Sequence, residues 1–170
     1  RDNFNLNAKV KATPDAYEAC FRQKYTDGQM VSALRTVENW LEDEPFSYMP
    51  TAMKSYVACL LDDYDTAIKT INSFKAGDAE DHGLSNNRDF AEISKGEIFA
   101  DQSEVIRIHN HIQRRLQANG SDMTQALANA GLLEYRLGNL NEGRQFYELA
   151  MATSNKLNEP RQTAAAAMYH

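Results

Sequence analysis

One stretch, Gln125 to Leu157 (QALANAGLLEYRLGNLNEGRQFYELAMATSNKL), constrains the fold more than any other part of the chain. Ala126, Ala130, Leu133 and Leu137 recur at three- and four-residue spacing, which places them on one face of a helix. Gly138-Asn139 interrupts the period, and Leu140, Gly143, Tyr147, Ala150 and Met151 begin a second apolar face. The stretch therefore reads as two amphipathic helices joined by a very tight turn. Gly131 and Gly143 fall inside these helices, where a glycine costs about 1 kcal/mol relative to alanine. Close approach of two helix backbones is the usual compensation.

Composition narrows the class without naming a function. A chain of 170 residues can hold one well-buried domain or a short repeat array. A net charge of −6 argues against a nucleic-acid or anionic-membrane surface, since both need an excess of Lys and Arg. No apolar run approaches the ~20 residues that span a bilayer. Cys20 and Cys59 lie in apolar helical patterns and read as buried free thiols, not as a disulfide framework. The chain opens at Arg1 with no signal-peptide pattern and closes on TAAAAMYH with no stop, as a fragment of a longer protein would. A cytoplasmic location is the expectation.

Read in order, residues 1–12 form an irregular tail. Thr13-Pro14 starts a helix that ends at Asp27-Gly28, and a second helix from Met30 is closed by Pro45. The next pair runs from about Phe46 to Leu61 and from Tyr64 to Lys75, with Asp62-Asp63 between. Ala33 to Ala67 is a step of 34 residues. Periodicity vanishes over residues 76–87, AGDAEDHGLSNN, which predicts an inserted loop. A third pair follows, about Arg88 to Ala100 and Ser103 to Ala118. Aligning Gly96 with Gly131 sets Ile108 against Gly143, and the loop absorbs about seven extra residues. Residues 158–170 make a trailing helix that starts at Glu159-Pro160, either a cap on the last pair or the first helix of a further pair, giving nine helices in all.

The patterns that could carry chemistry are weak. His109 and His111 are two apart, so on a helix they point ~200° away from each other and do not share a metal. Asp78 to Gly83 has the outline of a calcium loop, but His82 stands where an oxygen ligand is needed. Arg107, Arg114 and Arg115 read as an ion-pairing face. No phosphate loop, nucleophile elbow or Cys-x-x-Cys pair occurs, so no enzyme, metal or cofactor is expected.

Gly131, Gly138, Leu140, Gly143, Tyr147 and Ala150 together resemble the tetratricopeptide repeat (TPR), and the 34-residue step is the length of that repeat. The resemblance covers most of residues 14–157, specific in the last pair and weakest in the third. It implies an all-α fold, a right-handed superhelical array of four antiparallel helix pairs over residues 13–157. Its first helices would line a concave groove that binds a peptide or helical segment. The groove positions transferred onto this chain include Arg22, Tyr25, Met49, Tyr56, Phe90, Ile93, Glu97, Leu132 and Tyr135. The carboxylate clamp of chaperone-binding members is absent, since Glu18, Arg22, Ala52, Met53 and Tyr56 stand at its positions. The expected function is a non-catalytic scaffold with a protein or peptide partner. The alternative is a regulatory or sensory module of a larger protein, working by self-association or by binding a small signal.

Overall fold

A computed structural model describes residues 14–74, 82–118, 120, 122–160, 163 and 166–167. The expected tail, the Thr13 cap and residues 76–81 of the expected loop lie outside the described residues. The described residues are all-α, with eight helices and one short 3-10 turn.

Each helix begins and ends where local chemistry asks it to. Helix α1, Pro14–Thr26, has proline at its first position, where no amide hydrogen is needed. Helix α2, Met30–Asp43, buries Ala33, Thr36, Val37 and Trp40 as one stripe and stops ahead of Pro45. Helix α3, Tyr48–Leu60, carries Pro50 in its first turn. Asp63 caps α4, Tyr64–Ser73, by accepting from the Thr66 amide at 3.1 Å. Helix α5 is His82–Lys95, the 3-10 turn Glu97–Ala100, and α6 Gln102–Ala118. Asp101 accepts from both the amide and the hydroxyl of Ser103 at the start of α6, which holds its carboxyl below the usual range. Helix α7, Met123–Leu137, turns through left-handed Gly138 (φ 86°) into α8, Leu140–Lys156.

The third pair departs from the expected boundaries at both ends. Residues 82–87 are helical, so α5 begins six residues earlier than Arg88. Polar tertiary contacts hold this weakly periodic stretch in place. Asn87 donates to Ser55 Oγ at 2.9 Å and to the Ala52 carbonyl at 3.2 Å, and Leu84 and Asn86 are buried. At the other end α5 stops at Lys95, because Gly96 adopts φ 81°. Gly96 is thus the counterpart of Gly138, a left-handed helix terminator, and not of Gly131 in a helix interior.

Consecutive helices pack on one another through α1–α2, α2–α3, α3–α4, α4–α5, α6–α7 and α7–α8, and α3–α5 and α5–α7 add contacts between alternate helices. The α7–α8 hairpin is the closest association. The α5–α6 pair is the exception: the two helices lack a close backbone approach, and side chains span the gap. Ile93, Ile98, Ile108, Ile112, Ala130 and Leu133 form one core cluster there. Phe21, Ala33, Val37 and Val57 form a second between α1, α2 and α3. Beyond α8, Pro160, Thr163 and residues 166–167 are helical, and Ala166 packs with Leu127, Tyr147 and Ala150.

Candidate functional site

The nine residues expected to line a groove differ in exposure: Ile93 is buried and the other eight are half-buried or exposed. Tyr25 and Tyr56 do come together. Tyr25 stands in the last turn of α1, stacked on buried Phe21 with ring centroids 6.0 Å apart. Tyr56 lies on α3, tilted against Tyr25 at 5.9 Å, and the two hydroxyls are 3.0 Å apart. Tyr56 remains 39% exposed, so much of the pair's surface faces water. Arg22 lies three residues before Tyr25 on the same face of α1, and its Nε donates to Glu18 at 2.7 Å. Along α3, half-buried Met49 and Ala52 and exposed Tyr56 and Leu60 follow one another at three- and four-residue spacing. These residues make an apolar strip beside the tyrosine pair.

Of the others, Ile93 is buried, Phe90, Leu132 and Tyr135 are half-buried in contact with core residues, and Glu97 is exposed. Ile93 is fully buried in the core between α5, α6 and α7, so its place in a groove is corrected: an inward-facing helix position has no surface to offer. Phe90 is half-buried, edge-on to Tyr64 at 6.4 Å and packed on Ala58, Cys59, Ala67 and Ala91. Leu132 packs against two core clusters at once. Tyr135 stacks on Tyr147 with centroids 5.5 Å apart and lies over Gly143. Glu97 is exposed and pairs with Lys95, which also reaches Asp65 at 2.6 Å; both carboxylates raise the lysine pKa.

A buried charged cluster was not legible in the sequence. Asp89 on α5 is 1% exposed, and its Oδ2 accepts from Arg115 Nη1 of α6 at 3.0 Å. Arg115, itself buried, also donates to Asp122 from Nε at 2.9 Å. His111 Nδ1 lies 2.9 Å from both Asp89 oxygens. The residues taken for a basic surface patch therefore divide. Arg107 pairs with Glu92 and Glu104 on the surface, Arg114 is exposed, and Arg115 is interior. The four-residue step from His111 to Arg115, one helical turn, was the available signal.

Two of the described groups are shifted far above their ordinary range. Burial pushes the Cys59 thiol up to about 12, which keeps it neutral, and burial with the Asp62 hydrogen bond pushes Tyr64 to about 12. Cys20 is exposed, against the expectation of a buried thiol. A shallow cleft of about 580 Å³ between α2 and α3 is lined by Arg35, Glu38, Asn39, Leu41, Glu42 and Lys54 and carries both signs of charge. Among the described residues no helix is long and apolar enough to cross a membrane, and no group of three or more His, Cys, Asp or Glu could hold a metal ion. No protein-family model matches this chain, and no curated protein sequence matches it either.

Proposed function

We propose that the chain is a TPR-like array of helix pairs with no catalytic role, and that it binds a protein segment on the surface formed by α1 and α3. The contacts between alternate helices, α3–α5 and α5–α7, support the array, since stacked pairs touch in that way. So does the interior-glycine hairpin of α7 and α8. The observation that carries the binding reading is the half-exposed Tyr25–Tyr56 pair beside Met49, Ala52 and Leu60. Aromatic rings left in water beside an apolar strip are the usual composition of a recognition surface.

The strip matches the apolar face of an amphipathic helix or of an extended segment, with Glu18 and Arg22 on its rim to orient a polar flank. Selection of short displayed peptides on the folded protein tests this. Peptides with an apolar face should be enriched, and their affinity should fall about tenfold in Tyr25→Ala and Tyr56→Ala, as expected when a hot-spot aromatic is truncated. Equal affinity for both variants, with helicity unchanged by circular dichroism, would place binding elsewhere.

A further inference from the structure

We infer that this chain self-associates through the outer face of α2, which lies antiparallel against α2 of a second copy, with Arg35 of each copy on Glu42 of the other. Helix α2 buries Ala33, Thr36, Val37 and Trp40. Val31, Arg35, Glu38 and Glu42 follow one another at four-, three- and four-residue spacing along the opposite side of the same helix. That side faces water: Val31 is 57% exposed, and Arg35 and Glu42 are exposed. Neither Arg35 nor Glu42 has an ion-pair partner among the described residues, whereas Glu38 pairs with Lys54 of α3 at 3.5 Å. The acidic residues that follow, Asp43 and Glu44, are engaged elsewhere, accepting from the Tyr17 hydroxyl at 2.7 Å and from Trp40 Nε1 at 3.1 Å.

Reversed end for end, this stripe is complementary to itself. Arg35 and Glu42 stand seven residues apart, which is two helical turns or about 10 Å along the axis. A two-fold axis passing between Glu38 and Asn39 therefore sets Arg35 against Glu42 twice, once at each end of the contact. The same axis carries Val31, one turn outside Arg35, toward Phe46, which follows α2 and is 88% exposed. At the centre the two Glu38 carboxylates meet, and each brings its own Lys54 to offset the repulsion. The shallow cleft beside the stripe, lined by Asn39, Leu41 and Lys54 among others, leaves room for side chains of the neighbouring helix.

The order of charges selects a second copy over a partner of one sign. A uniformly basic segment would pair with Glu42 but be repelled by Arg35, and a uniformly acidic one would meet the reverse. The chain carries a net charge of −6, so two copies repel at a distance and the Arg35–Glu42 pairs decide whether they stay together. One helix face with two ion pairs on its rim is a small interface. Association through it is weak, depends on concentration and falls as salt is added.

Sedimentation equilibrium of the whole chain from about 10 µM to about 1 mM, the range in which small interfaces associate, tests the contact. The mean mass should rise with concentration toward that of two chains. Arg35→Glu sets carboxylates against each other at both ends and should raise the dissociation constant about tenfold. Glu42→Arg should do the same with two cations. The double variant Arg35→Glu, Glu42→Arg rebuilds both pairs with reversed polarity and should associate as the unaltered chain does. Both positions are exposed, so circular dichroism should show the same helicity throughout. The surface formed by α1 and α3 is separate, since Tyr56 lies ~200° around α3 from Lys54, and Tyr56→Ala should leave self-association unchanged. A chain that stays monomeric across the range overturns the inference. So does a dimer that Arg35→Glu leaves equally tight, or one that the folded double variant fails to recover.

Discussion

The ring of Tyr147 fills the space that a side chain on Gly131 would need: a Cβ there would lie 2.7 Å from Tyr147 Cδ2 and 3.1 Å from the Gly143 carbonyl oxygen. The relationship is reciprocal across the hairpin, because a Cβ on Gly143 would lie 2.6 Å from Tyr135 Cε1. Each glycine thus accepts an aromatic ring from the facing helix. Tyr147 is 2% exposed, so its ring has little room to retreat. Gly131→Leu should overpack this contact and lower stability by about 1–3 kcal/mol or more, against which the helix-propensity gain of about 1 kcal/mol is too small. Thermal unfolding measures it, and an unchanged midpoint would show that the hairpin can spread without cost.

Tyr56 and Tyr135, equivalent as expected groove residues, should separate in a stability measurement. Tyr135 is packed between Gly143 and Tyr147, so Tyr135→Ala leaves a cavity and should cost about 3 kcal/mol. Tyr56 is 39% exposed and so gives up less buried surface, and Tyr56→Ala should cost about 1 kcal/mol. Denaturant titration of the two variants gives the comparison; equal losses would mean that Tyr56 is a packing residue too.

Asp89 and Arg115 form a buried ion pair in which each partner depends on the other. Asp89→Ala leaves Arg115 with Asp122 alone and removes the anion facing His111, and should destabilise the fold by about 3–5 kcal/mol. Replacing Asp89 and Arg115 together by apolar residues of similar volume should recover much of that loss. A double-mutant cycle by urea unfolding reads the coupling. Additive losses would show that the pair contributes as two separate packing groups.

The two cysteines should differ in reactivity and in pH response. Cys20 is exposed and should react with a thiol reagent at neutral pH, whereas buried Cys59 should react only on unfolding. Burial raises the folded Cys59 thiol from 9.0 to about 12, so between these values the unfolded chain is ionised and the folded chain is not. Its contribution to stability is present below about pH 9 and is lost as pH rises toward 12. Cys59→Ala should therefore show a shallower fall of melting temperature with pH over that window, and an identical slope would place the titration elsewhere.

Much of the secondary structure was legible because it depends on neighbours in sequence. Pro14, Gly28, Pro45, Asp63 and Gly138 act through their own dihedral angles and caps, and the apolar spacing of Ala33, Val37 and Trp40 needs only the helical period to become a buried stripe. The small residues Gly131 and Gly143 announced a close helix approach in the same way, since nothing local compensates an interior glycine.

Sequence alone determined the helices, their short turns and the tight last hairpin; the tertiary structure decided α5, its join to α6 and the extent of the exposed strip. Residues 82–87 are poor in periodicity and become helix because Asn87 reaches Ser55 and Asn129 reaches the Asn86 carbonyl, partners far away in the chain. Gly96 could have been a helix interior or a helix end, and only its backbone angle shows it to be an end. Asp89, His111 and Arg115 are polar residues that local patterning assigns to the surface, yet mutual charge compensation lets them lie inside. The physical reason is common to all three: propensity and periodicity act within about one helical turn, whereas burial of a polar group is settled by whichever distant side chain satisfies it.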